Sequence, residues 1–339
     1  MCKRFLAEGV SIVLVRSGPI RGTLFVPKQK GNKQLPAIIT ILGGLKKRGH
    51  VIESYAALMA FEGYVTLALA FFGVEGLQRT YTKQPIDMRY FEEAVEFLRD
   101  QESVDPDNIF VLGSSKGADI AFGMVSCIPQ VKAICTFNGL CCSLASTTVY
   151  PDGTTIGMLP VDLSQVRPLL NADGTQRGMV DVSEAVAVPR EHLDSVHRFH
   201  DTKASILMIV GEHDRNWNSS MFAKFVEDQL LGKSSSTRSL DTSDGCRPSN
   251  KCNVTGKRNK GASPNLQIDS YKHVGHLVEP PFFPICFSES HQLVPNKLLV
   301  DYGGGANPAL NSKMQCEIWE NVSNFFRQQS TSKVLKSSL

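Results

Sequence analysis

Five short runs, at residues 37–42, 65–70, 108–112, 131–137 and 205–210, are almost unbroken in apolar side chains, and segments with helical spacing separate them. A strand that is apolar at every position has both faces buried. That happens when a parallel sheet is covered by helices on both sides, because each crossover lays a helix on one face. In the intervening segments, residues 51–61 put Tyr55, Leu58 and Met59 at helical spacing. Residues 88–99 set Phe91, Val95 and Leu98 on one face, with Glu92, Glu93 and Glu96 near the other. Helices also read at 116–127, 221–231 and 313–327, and a last strand at 267–272. Residues 10–16 and 20–26 read as strands around Ser17-Gly18-Pro19, a hairpin signal. The pattern predicts an α/β fold with a mostly parallel central sheet and helices on both faces.

Charge and cysteine usage narrow the function classes. The chain holds 36 basic and 33 acidic residues, a formal +3 that is small for 339 residues, so a generic nucleic-acid binder is not expected. Its longest strongly apolar stretch, 65–74, is about half of what a membrane span needs, so no span is expected. Glu8 and Gly9 interrupt any apolar signal segment after Lys3 and Arg4. The nine cysteines are odd in number and sit mostly in apolar runs. They read as free thiols in a reducing compartment, which points to the cytoplasm.

Two regions break the rhythm. Residues 147–200 have scattered Gly and Pro and no period, as a cap or excursion over one sheet edge would. Residues 233–264 are rich in Ser, Gly, Asn and charge. They contain seven basic residues against Asp241 and Asp244, a net +5 that exceeds the +3 of the whole chain. This stretch is expected to be a disordered surface insertion in an otherwise single domain over residues 1–339.

The motif with chemical content is Gly113-Ser114-Ser115-Lys116-Gly117, which follows an apolar strand and opens a helix. This is the context of a G-x-S-x-G nucleophile elbow. The turn is tight enough to strain the serine, and flanking glycines let strand and helix approach it. Ser115 is the candidate nucleophile. A serine hydroxyl needs a base, and the base needs an acid to orient it. In this order of elements the acid follows the serine and the histidine comes last. The strand at 206–210 runs into Gly211-Glu212-His213-Asp214, so Asp214 or Glu212 could serve, with Asp214 preferred. The last strand is followed by His273-Val274-Gly275-His276. His276 is the preferred base, since Gly275 permits a sharp turn back over the sheet. The backbone N–H groups of Lys116 and of the Gly43-Gly44 turn, with Gly44 as the candidate, would form the oxyanion hole. A metal site built from His213, Asp214, His273 and His276 is the weaker reading, because the H-x-x-H does not fall on a helix. No metal or redox cofactor is required.

These residues resemble a known family. The matching stretches include Arg21-Gly22-Thr23-Leu24-Phe25-Val26-Pro27, Ile41-Leu42-Gly43-Gly44, the elbow with Ala118-Asp119, Phe137-Asn138-Gly139, Val210-Gly211-Glu212-His213-Asp214 and Gly275-His276-Leu277-Val278-Glu279-Pro280-Pro281. They are similar to the acyl-CoA thioesterase and bile acid-CoA:amino acid N-acyltransferase family. The resemblance implies an α/β-hydrolase catalytic domain acting on acyl-CoA thioesters, with a triad that maps onto Ser115, Asp214 and His276. A serine nucleophile implies hydrolysis of fatty acyl-CoA to free acid and CoA. The alternatives are amino-acid transfer, as in members with a cysteine there, a non-catalytic hydrolase-fold binding protein, or a small-ester or dienelactone-type hydrolase. The resemblance also implies a β-sandwich domain ahead of the hydrolase, and this chain starts about where that sandwich would end. Asn307-Pro308 stands where the family usually has a His. Lys46, Lys47 and Arg48, just after the Gly43-Gly44 turn, are candidate contacts for the CoA phosphates. Ser337-Ser338-Leu339 is a weak likeness to a peroxisomal signal, lacking the basic middle residue.

Overall fold

Strand β3, Leu35–Ile41, is buried at all seven positions, and its two faces feed two different cores. Ile38 points into a layer with Tyr55, Phe110 and Trp319, whereas Ile39 and Ile41 point into a layer with Phe91, Ile120 and Phe222. The structure is a computed structural model that describes residues 9–28, 34–43, 49–82, 84–231, 266–290, 299–304 and 307–330. Gly44, Lys46, Lys47, Arg48, residues 233–264 and Ser337-Ser338-Leu339 therefore lie outside the described residues.

The central sheet has eight strands. In chain order they are β1 (Val10–Ser17), β2 (Ile20–Pro27), β3, β4 (Val65–Ala70), β5 (Val104–Ser114), β6 (Val131–Phe137), β7 (Ser205–Gly211) and β8 (Leu266–Tyr271). Their spatial order is β1-β2-β4-β3-β5-β6-β7-β8. The first two pairings, β1 with β2 and β2 with β4, are antiparallel; every pairing from β4 to β8 is parallel. Helices α1 (Gly49–Phe61), α2 (Met88–Arg99), α3 (Lys116–Cys127), α4 (Ser219–Leu230) and α5 (Pro308–Gln329) complete the layers. Apolar residues of α1 and α5 join the core on one face, and those of α2, α3 and α4 join the core on the other.

Helix α2 shows how local sequence sets this arrangement. The Asp87 side chain caps it by accepting from the Arg89 N–H, and Met88, Phe91, Ala94, Val95 and Leu98 form its buried stripe. Removing a side chain such as Phe91 or Leu98 from water contributes about 1.5–3 kcal/mol. Helix α3 is different: every residue from Lys116 to Val125 is buried. A helix buried all round needs a cover on its outer side. Phe122 packs on Phe199 there, and Gly123 is bare because a Cβ would meet Met88 and His197. The excursion at 147–200 is thus a cover for α3. It carries short strands that the sequence did not reveal, Arg167–Leu170 and Gln176–Asp181, which join Leu299–Asp301 and Ser288–Ser290 in a separate sheet.

The parallel strands share one carboxyl edge. Ile41 pairs with Gly113, Ser114 with Phe137, and Gly211 with Tyr271. The loops leaving β3, β5, β6, β7 and β8 therefore emerge together, where an open α/β sheet places its ligands.

Candidate active site

Ser115 leaves β5 with φ 57° and ψ −125°, a region that costs a non-glycine residue about 1–3 kcal/mol. The surroundings fix it there. Its N–H donates to the Phe137 carbonyl at 3.1 Å, and its own carbonyl accepts from the Ala118 N–H at 2.9 Å. Gly113 and Gly117 are required by close approach. A Cβ on Gly113 would overlap the Gly117 carbonyl, and one on Gly117 would overlap the Ile41 carbonyl. A serine at a helix N-cap ordinarily turns its hydroxyl onto the helix's own amides. Here the positive φ prevents that, and the hydroxyl caps nothing. It meets His276 instead.

Ser115 Oγ stands 2.9 Å from His276 Nε2, and Asp214 Oδ2 stands 2.9 Å from His276 Nδ1. Asp214 accepts further bonds from the Asn216 N–H at 2.8 Å and the Ser219 hydroxyl at 2.5 Å. It follows β7 directly and lies just before α4. His276 N–H donates to the Tyr302 carbonyl at 2.6 Å. Its ring lies between Trp217, edge-on at 4.5 Å, and Tyr302 at 5.5 Å. His276 is 1% exposed and Ser115 9%, so both are buried.

The remaining candidates fall as follows. Glu212 is exposed and accepts from Ser270 Oγ at 2.9 Å, away from the imidazole. His273 is exposed and His213 half-buried. Among the described residues no three His, Cys, Asp or Glu side chains gather as ligands of one ion. The Lys116 N–H lies at the N-terminus of α3, where the helix field favours negative charge. Gly43 lies against it: a Cβ there would stand 2.5 Å from Ser115 Cβ, 2.7 Å from Oγ and 3.0 Å from Lys116 N. The described half of the Gly43-Gly44 turn thus sits on Ser115.

Sequence reasoning missed three features. Asn138, at φ 46°, donates from Nδ2 to the carbonyls of Gly275 at 2.8 Å and His276 at 2.9 Å, and accepts the Gly211 N–H at 2.6 Å. It ties the end of β6 to the loops that carry Asp214 and His276. Its place at a strand end, in Phe137-Asn138-Gly139, was the available signal. Asn216 is a second, with Nδ2 3.1 Å from His276 Nε2. The third is a buried ionic cluster behind the elbow. The Lys116 side chain turns inward to Asp119 at 2.6 Å and to the Leu144 carbonyl at 2.8 Å. Asp119 also meets His197 Nε2 at 2.7 Å, and His197 Nδ1 meets the Tyr150 hydroxyl at 2.8 Å. Burial pushes the Asp119 carboxyl up, but the Lys116 ammonium and the His197 bond outweigh it, and the net displacement is downward. Burial raises the Tyr150 phenol to about 12.

The sheet order and a strained serine at the end of β5 define the class: this chain has the α/β-hydrolase fold. A dienelactone hydrolase-like promiscuous phosphotriesterase from metagenomic libraries has the same fold, with a TM-score of 0.51 at 14% identity over 95% of this chain and 99% of that one. The chain belongs to the family described as BAAT / Acyl-CoA thioester hydrolase C terminal, which it matches over residues 86–240 and 244–332. It is 30% identical to rat acyl-coenzyme A thioesterase 2, mitochondrial, across 98% of this chain and 63% of that protein. It is also 30% identical to mouse acyl-coenzyme A thioesterase 1, across 99% of this chain and 69% of that protein. The chain thus spans less than two thirds of the length of the rat relative. Among the described residues no helix is long and apolar enough to cross a membrane.

Proposed function

We propose that this chain hydrolyses acyl-CoA thioesters to free carboxylic acid and CoA, with Ser115 as nucleophile, His276 as base and Asp214 as the group that orients it. The observation that carries the reading is the unbroken path from the strained Ser115 hydroxyl through both nitrogens of His276 to Asp214. Family membership and the thioesterase relatives supply the substrate class.

Ser115 Oγ attacks the thioester carbonyl and passes its proton to His276 Nε2. Asp214 holds the proton on Nδ1 and stabilises the imidazolium that forms. The Lys116 N–H and the Gly43-Gly44 turn donate to the developing oxyanion. The C–S bond then breaks, and the CoA thiolate takes the proton from Nε2. A thiol has an ordinary pKa near ~8.5, so this departure needs little acid assistance. Water then adds to the ester carbon and gives a proton to Nε2. The C–Oγ bond breaks, and Ser115 Oγ recovers the proton as the acid departs.

The purified protein is expected to release CoA from a series of acyl-CoA lengths and to yield the free acid, with glycine or taurine present or absent. An amide product in the presence of the amino acid would move the assignment to acyl transfer. Absence of CoA release, together with a Ser115 inert to a fluorophosphonate, would favour a binding protein.

A further inference from the structure

His276 Nε2 has two neighbours and one lone pair. Nδ1 faces the Asp214 carboxylate, so it bears the ring proton, and Nε2 is the acceptor of the neutral imidazole. Ser115 Oγ lies 2.9 Å from it and Asn216 Nδ2 3.1 Å. Both can donate, and they compete for one site. Asn216 is 2% exposed, and its backbone N–H is bonded to the same Asp214 that holds Nδ1. The next residue, Trp217, packs its ring edge-on to the imidazole and donates from Nε1 to the Asn138 carbonyl at 2.9 Å. The amide is therefore buried against the atom through which every proton of the reaction passes.

We propose that Asn216 is a positioning residue of the deacylation step, a role that rests on the serine-hydrolase reading above. Before acylation the Ser115 hydroxyl donates to Nε2. In the acyl-enzyme Oγ is an ester oxygen with no proton to give, and Nε2 loses that partner. The Asn216 amide then holds Nε2. It keeps the imidazole in the plane set by Asp214 until a water arrives to be deprotonated.

The test separates the two half-reactions. In Asn216→Ala, acylation, read as single-turnover CoA release or as fluorophosphonate labelling of Ser115, should change less than about threefold. Deacylation should slow about tenfold, the scale of one lost hydrogen bond, so CoA appears in a stoichiometric burst and acyl-enzyme accumulates. Asn216→Asp keeps the shape and reverses the character of the group, replacing a donor at Nε2 with a carboxylate. The titratable groups already facing the imidazole are Asp214 at Nδ1 and the Tyr302 ring. A second carboxylate favours the imidazolium, so the acid limb of kcat/KM should move up by about one unit. Equal slowing of both steps in Asn216→Ala, or an unmoved acid limb in Asn216→Asp, would overturn this assignment alone. A wild-type protein that releases no CoA would overturn the hydrolase reading, and this one with it.

Discussion

The side chain of Asn138 donates to the backbone carbonyl of His276 at 2.9 Å, so a residue at the end of β6 fixes the loop that presents the candidate base. The same amide reaches the Gly275 carbonyl and accepts from Gly211. Asn138→Ala leaves three buried backbone groups without this partner. Stability should fall by about 2–4 kcal/mol in urea denaturation, since each orphaned group costs about 1–3 kcal/mol and relaxation recovers part. The kcat should fall about 10–100-fold as the imidazole drifts. A stable variant with wild-type kcat would show that the His276 loop is held by other contacts.

Gly43→Ala places a methyl 2.7 Å from Ser115 Oγ and 2.5 Å from its Cβ. Neither can yield, because the elbow is clamped by Gly113 and Gly117. Activity should drop about 100-fold or more, with the circular dichroism spectrum unchanged. Gly9→Ala, where a Cβ meets nothing within 4 Å, is the control and should be silent. Retained turnover in Gly43→Ala would separate this turn from the reacting centre.

Asp119 gives a pH signature. Its folded pKa lies below the ordinary carboxylate value of about 3.9. The unfolded chain therefore binds its proton first, and stability rises with pH across that window. The contribution is complete above about pH 4 and fades as the pH falls through the folded value. Asp119→Asn should flatten the acid limb of a plot of urea midpoint against pH. It should also cost about 3–5 kcal/mol at neutral pH, because the buried Lys116 loses its counter-charge. An acid limb as steep as that of the wild type would locate acid sensitivity elsewhere.

Replacing Lys46, Lys47 and Arg48 with Gln tests the proposed phosphate contacts. KM for acyl-CoA should rise and lose part of its salt dependence, while kcat and KM for an uncharged short thioester stay unchanged. Equal effects on both substrates would return the cluster to a solvated surface.

The sheet and the elbow were legible because their signals are local. Runs such as Ile206–Val210 within β7 are apolar at each position, and a Gly on either side of Ser115 reports the close approach of Ile41 and Gly117. Strand β5 begins at Val104 rather than near Asn108, because Asp105-Pro106-Asp107 hides a polar start. The strands Arg167–Leu170 and Gln176–Asp181 were invisible because most of their side chains are exposed, which leaves no period to read. Asn138, Asn216 and the Lys116–Asp119–His197 cluster were missed for another reason. Their partners lie 73 and 138, 60, and 78 positions away, and a short polar side chain announces no such distance.

The most direct test of the central claim is the rate of CoA release from a saturating acyl-CoA by the wild type and by Ser115→Ala. The hydroxyl caps nothing in α3, so its loss should leave the fold intact and lower kcat by about 10³-fold or more. Turnover in Ser115→Ala within a few-fold of the wild type would contradict the account.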